Sequence, residues 1–111
     1  MTDCIFCKIA NHEVSTNLVY ETGGVVVFND INPRAPFHVL VVPKKHLQEF
    51  YTLDGEGNKI FKEMLLVVKK MIERYGLDNK GYRLVTNGGG AQAIDHFHIH
   101  IIGGINNTRK L

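Results

Sequence analysis

Between Asp95 and Ile101 the chain reads Asp-His-Phe-His-Ile-His-Ile, so three imidazoles alternate strictly with large apolar side chains. An alternation of period two suits an extended strand and not a helix, because successive strand side chains leave on opposite faces. The spacing predicts a strand over residues 94–102. His96, His98 and His100 share one face, neighbours about 6.7 Å apart along the chain. Phe97, Ile99 and Ile101 share the other and turn to a core. Three readings of that face compete: a surface strand that happens to carry histidines, a hydrolytic zinc site using two of them as ligands, and catalysis at phosphorus by an imidazole nucleophile. The chemistry of the third is sound. Free imidazole has a pKa of about 6.5 and is largely neutral at pH 7. It can split one phosphoryl or nucleotidyl transfer into two displacements. The attacking nitrogen must be unprotonated, and a hydrogen bond from the other nitrogen to a carbonyl would secure that tautomer.

The rest of the composition narrows the class. With 111 residues, 44% hydrophobic and 22% charged, the chain is expected to be a single globular domain over residues 1–111. A formal net charge of +2 is too mild for a nucleic-acid binder and compatible with a small anionic ligand. No apolar run approaches the roughly 20 residues of a membrane span. The start, Met1-Thr2-Asp3-Cys4, carries no secretory pattern. Two cysteines make no disulfide framework, and a reducing, cytoplasmic setting is expected.

The remaining pattern predicts a short helical turn over residues 4–10 and strands over residues 19–21 and 25–29, joined through Thr22-Gly23-Gly24. A third strand covers residues 37–42, closed by Pro43. A long helix opens near Thr52 or Asp54 and ends at Gly76, with Ile60, Phe61, Met64, Leu65, Val68, Met71, Ile72 and Tyr75 as its core stripe. A fourth strand covers residues 82–86. Hairpin, helix, then strands again imply an α+β fold with a mostly antiparallel five-stranded sheet. The loop Asn87-Gly88-Gly89-Gly90 could turn backbone N–H groups toward a phosphate. Cys4 and Cys7 have metal-knuckle spacing, which alone is half a zinc site. Lys44, Lys45 and His12 read as solvated surface residues.

His96-Phe97-His98-Ile99-His100-Ile101-Ile102 resembles the signature of the histidine triad (HIT) family. Cys4-Ile5-Phe6-Cys7-Lys8-Ile9, Phe28-Asn29-Asp30-Ile31-Asn32-Pro33, Ala35-Pro36-Phe37-His38 and Val41-Val42-Pro43-Lys44-Lys45-His46 look like further family segments in family order, so the resemblance covers nearly the whole chain. Gly103-Gly104 looks like the ending of the Hint branch, the nucleoside phosphoramidate hydrolases. The resemblance implies a HIT-like fold, usually homodimeric, that hydrolyses purine nucleoside monophosphate conjugates. It implies His98 as the transiently nucleotidylated nucleophile, with His100 and His38 in support. It places Asp30 on the ribose hydroxyls, Ile5, Phe6, Ile9, Phe28 and Ile31 in an apolar slot for the base, and Asn87, Gln92 and Ala93 near ribose and phosphate. It also implies a structural zinc held by Cys4, Cys7, His46 and His96. Three departures stand out. Ala93 occupies a position where the family commonly has serine, the 87–96 segment is about two residues shorter, and the tail after Ile105 differs from the branch's usual ending. A zinc-stabilised nucleotide-binding module with little turnover is the alternative that Ala93 supports.

Overall fold

The computed structural model describes residues 4–106, so the differing tail beyond residue 106 and the start before Cys4 lie outside the described residues. The element order is α1 (Ile5–Ala10), β1 (Leu18–Glu21), β2 (Val25–Asn29), β3 (Phe37–Pro43), α2 (Gly55–Tyr75), α3 (Leu77–Lys80), β4 (Tyr82–Val85) and β5 (Ile99–Gly103). The strands form one antiparallel sheet in the order β1-β2-β3-β5-β4. This is the α+β fold expected from the order of elements.

The sheet is apolar on both faces, and alternation divides its strands between two cores. Val25 and Val27, Val39 and Val41, and Ile99 and Ile101 pack with Phe97 against Met64, Val67, Val68 and Met71 of α2. Val26, Phe28, Leu40 and Val42 pack on the other face against Phe6, Ile9 and Ala10 of α1. A short helix can cover only part of a sheet face. Beyond its reach that second face carries His38, which is two residues before Leu40 on β3, and His100, which pairs with Leu40 from β5.

The loops that hold this arrangement are chemically specific. Thr22 donates to the Glu63 carboxylate at 2.7 Å and accepts the Val25 amide at 3.0 Å, pinning the β1–β2 turn to α2. Gly76 ends α2 in the left-handed conformation at φ 64°, where glycine is favoured. The one-turn helix α3 follows it, an element the hydrophobic pattern does not announce. At Gly81, φ is +81°, and a Cβ would stand 1.8 Å from the Ile105 carbonyl oxygen. Gly81→Ala is therefore expected to cost about 3 kcal/mol or more, from backbone strain plus a clash that a rigid carbonyl cannot relieve. Denaturant midpoints of the two proteins measure it, and a loss below about 1 kcal/mol would contradict the close approach.

Strand β5 begins at Ile99, five residues later than the alternation predicts. Its partners run out there: Val41 of β3 pairs with Ile99 and Val85 of β4 pairs with His100. Pro43, two residues further along β3, has no N–H to donate. The preceding backbone finds other partners, with the His96 amide on Ile94 at 2.9 Å and the Phe97 amide on Leu47 at 2.6 Å. The histidine segment thus enters the sheet only at its end, and its first half is held by loops.

Candidate functional site

The four histidines around the sheet's second face have tautomers set by groups with only one possible role. A carbonyl can only accept and a backbone N–H can only donate. His98 Nδ1 lies 2.7 Å from the His96 carbonyl, so Nδ1 carries the proton and Nε2 keeps its lone pair. His96 Nε2 lies 2.9 Å from the Pro43 carbonyl, so its proton is there and its Nδ1 is the open ligand atom. His38 Nδ1 accepts the Arg34 amide at 3.0 Å, which puts the His38 proton on Nε2. That Nε2–H lies 3.0 Å from His100 Nδ1, which must accept, leaving His100 with its proton on Nε2. The carbonyl bond that an imidazole nucleophile requires is present at His98.

Burial distinguishes these rings from surface histidines. His98 is 5% exposed, His96 is fully buried, and His38 is buried as well. Helix α1 lies over His96 and His98, with Phe6 packed edge-on against both. The surface-strand reading is thereby excluded. Burial, with the charges of His98 and His38 adding to it, lowers the His100 pKa to about 4. Burial also lowers His38, against the pull of the Asp30 carboxylate 3.4 Å away and with reinforcement from Arg34. Both are therefore neutral at pH 7.

The sign of the resulting pH effect follows. A histidine in the unfolded chain takes up a proton below about 6.5, whereas folded His100 does so only near 4. Across that window the unfolded state binds more protons, so stability falls as pH drops from about 6.5 to about 4. The His100 contribution is up to about 3 kcal/mol. Unfolding free energies of wild type and His100→Gln between pH 7 and pH 4.5 check this, with a shallower slope expected for the variant.

Asp30, His38 and His100 bring three ligand atoms within 4.8 Å of one another. They are a hydrogen-bonded relay and not a cation site, because the Arg34 amide forces a proton onto the very His38 nitrogen that would have to ligate. The Asp30 side chain also accepts the Asn32 amide at 2.8 Å, which orders the turn that follows β2.

Cys4, Cys7, His46 and His96 form the other cluster, with all four ligand atoms within 4.8 Å. Cys4 Sγ and Cys7 Sγ lie 3.3 and 3.4 Å from His96 Nδ1, and Cys7 Sγ lies 3.2 Å from His46 Nδ1. Tetrahedral zinc with ordinary bond lengths would separate sulfur from nitrogen by about 3.5 Å. The donor set, the spacing and the His96 tautomer therefore fit a metal ion. The same facts separate the roles of the three alternating histidines: His96 belongs with the cysteines, whereas His98 and His100 do not, so zinc on the row itself loses its basis.

The other predicted residues are distributed unevenly. Phe6, Ile9 and Phe28 are buried in the second core. Ile5 and Ile31 are 39% and 92% exposed, so they can offer apolar surface to a ligand. Asn87 is half-buried after β4, and Ala93 is exposed on an open cleft of about 370 Å³ shared with Cys4, Ile5, His46, Ile94 and Asp95. The glycine loop departs from expectation. The Gly89 amide is taken by the Glu49 carboxylate at 3.0 Å, and the Gly90 amide by the Gln92 side chain at 3.0 Å. Gln92 also donates to Asp95 at 3.4 Å, so its side chain bonds within its own loop. Glu49 was not legible as a loop anchor because nothing in its local sequence marks it. Thr86, which donates to the His98 carbonyl at 2.8 Å, was equally hidden.

Comparison with known proteins agrees with this geometry. Residues 3–110 match the family described as scavenger mRNA decapping enzyme, C-terminal binding. The chain is 41% identical to Protein HitA of Neisseria gonorrhoeae over 104 residues, covering 93% of this chain and 97% of the relative. A histidine triad protein from Clostridium difficile is similar in structure with TM-score 0.90 and 40% identity, over 100% of this chain and 98% of that one. A HIT family hydrolase from Clostridium thermocellum gives TM-score 0.90 and 35% identity, over 100% and 98%. Fold and likeness together define the class, an α+β protein with the fold shared by these histidine triad proteins. Within that class, the chain belongs to the histidine triad family.

Proposed function

We propose that this protein is a single-domain nucleotide hydrolase that cleaves phosphoramidates of purine nucleoside monophosphates, with His98 as nucleophile. The observation that carries the reading is the set of tautomers. His98 presents a lone pair at Nε2, and His100 presents an N–H at Nε2, so an attacking group and a donor for phosphate oxygens stand side by side with ring centroids 5.0 Å apart. His98 Nε2 attacks phosphorus and the P–N bond to the leaving amine breaks. The amine departs with a proton taken from solvent water, while His100 Nε2–H donates a hydrogen bond to a phosphate oxygen and keeps its proton. Water then attacks phosphorus of the nucleotidyl-histidine, the P–Nε2 bond breaks, the water's proton passes to solvent and AMP is released, restoring the Nε2 lone pair of His98. His38 holds the His100 ring and supplies the relay through Nε2–H. Asp30 accepts ribose hydroxyls, with Ile5 and Ile31 against the base over the Phe6, Ile9 and Phe28 floor, and Asn87 near the ribose.

Cys4, Cys7, His46 and His96 are proposed to hold zinc. Such an ion supplies a cross-link between α1, the loop after β3 and the histidine segment, and no reacting group. Homodimerisation is proposed through β4, an outer strand of the sheet among the described residues, where Tyr82 and Leu84 are exposed. No helix among the described residues is long and apolar enough to cross a membrane.

Release of AMP from adenosine phosphoramidate by the reduced protein tests the reading. A folded protein that binds AMP without turnover would instead favour a regulatory nucleotide binder. Ala93 specifically supports that second reading, since it offers no hydroxyl to the phosphate. Restoring one by Ala93→Ser is expected to raise kcat about 3- to 10-fold, less than the roughly 100-fold worth of a rigid oxyanion donor because the loop is exposed. Unchanged kcat would place residue 93 away from the phosphate.

A further inference from the structure

His96 belongs to two sites at once. Its ring Nδ1 faces Cys4 and Cys7 at 3.3 and 3.4 Å, while its main-chain carbonyl accepts the His98 Nδ1–H at 2.7 Å. Whatever displaces the sulfurs therefore loosens the residue that orients His98. One of the two sulfurs can be reached, whereas Cys7 is buried. Cys4 is half-buried and lines the open cleft of about 370 Å³, together with Ile5, His46, Ala93, Ile94 and Asp95. Cys4 and Cys7 are not joined in a disulfide, yet their sulfurs lie within 4.8 Å of each other. A disulfide needs the sulfurs about 2.05 Å apart. Closing one would draw both toward each other and away from His96 and His46.

We propose that Cys4 and Cys7 are a peroxide-sensitive dithiol that switches the histidine segment between an ordered and a loosened state. The cleft-facing Cys4 thiol attacks the hydroperoxide, its O–O bond breaks, one water leaves and Cys4 becomes a sulfenic acid. The Cys7 thiol then attacks the Cys4 sulfur, the S–O bond breaks, the hydroxyl leaves as water with the Cys7 proton, and the disulfide forms. Two electrons and two protons pass from the dithiol to the peroxide, which ends as two waters. His96 Nδ1 and His46 Nδ1 lose their sulfur partners, any cation held there loses two ligands, and the residue whose carbonyl orients His98 is left held only by its bonds to Pro43 and Ile94. A thiol reductant reverses the change.

The switch rests on the proposed hydrolase only for its effect on turnover, so it is read in three ways on the full reduced chain treated with hydrogen peroxide. Peptide mapping is expected to show an intrachain Cys4–Cys7 link. Amide hydrogen exchange over residues 94–98 is expected to rise at least tenfold, and AMP release to fall at least tenfold, with all three reversed by dithiothreitol. Cys4→Ser is expected to show no peroxide-induced rise in exchange. If that variant does not fold, the wild-type mapping and exchange still decide. Cysteines that stay reduced, overoxidise without linking or link only between chains would overturn the switch. So would an intrachain disulfide with unchanged exchange over 94–98. Failure of the hydrolase reading looks different: no AMP release before peroxide is added, with mapping and exchange still measurable.

Discussion

Replacing His98 with alanine is expected to lower kcat for AMP release from adenosine phosphoramidate by at least about 10,000-fold, equivalent to about 5.5 kcal/mol of transition-state free energy. The expectation is this large because the substitution removes a bond-forming atom and not merely a binding contact. The lone pair at His98 Nε2 is the one the His96 carbonyl exposes by holding the proton on Nδ1. His100 cannot take its place, since its Nδ1 is committed to accepting from His38 and its Nε2 carries the proton. AMP affinity should change less than about tenfold, because phosphate contacts from other groups survive. Since His98 is 5% exposed, circular dichroism and AMP binding must accompany the rate measurement to show that the cavity left behind has not unfolded the site. A folded His98→Ala protein that keeps more than about 1% of wild-type turnover would refute the covalent route.

The second large effect concerns the cysteine–histidine cluster. Cys7→Ser is expected to abolish bound zinc, measured as metal per chain, and to lower Tm by about 10–15 °C. The buried Cys7 sulfur faces both His46 and His96, so no neighbouring donor can replace it. Loss of a metal cross-link worth about 3 kcal/mol accounts for a shift of that size in a domain this small. Wild-type protein stripped by a chelator should melt at the same temperature as the variant. If both melt within about 3 °C of the untreated protein, the cluster is no structural metal site.

The sequence was most informative where one chemical pattern admits few geometries. Strict alternation around His98 announced an extended segment with grouped imidazoles. The long stripe from Ile60 to Tyr75 announced a helix with one apolar face, and Gly76 its end. The valine-rich runs announced β2 and β3. Boundaries were less legible: β5 begins only at Ile99 because its neighbours run out of backbone to pair with, a fact of the assembled sheet that no local propensity carries. The glycine loop was misleading for a related reason. Three glycines advertise free amides, but Glu49, about forty residues away along the chain, takes one of them.

Identity and spacing of side chains, set by the sequence alone, determined that imidazoles and thiols would be grouped in a few short segments. Only the tertiary structure decided what each would do. His96, His98 and His100 are alike in the chain, yet their protons are placed by Pro43, by the His96 carbonyl and by Arg34 through His38. The physical reason is that a neutral imidazole has two equivalent places for one proton. The choice between them rests on single hydrogen bonds, and half of these come from residues distant in sequence. That choice makes one histidine a ligand, the next a nucleophile and the third a donor.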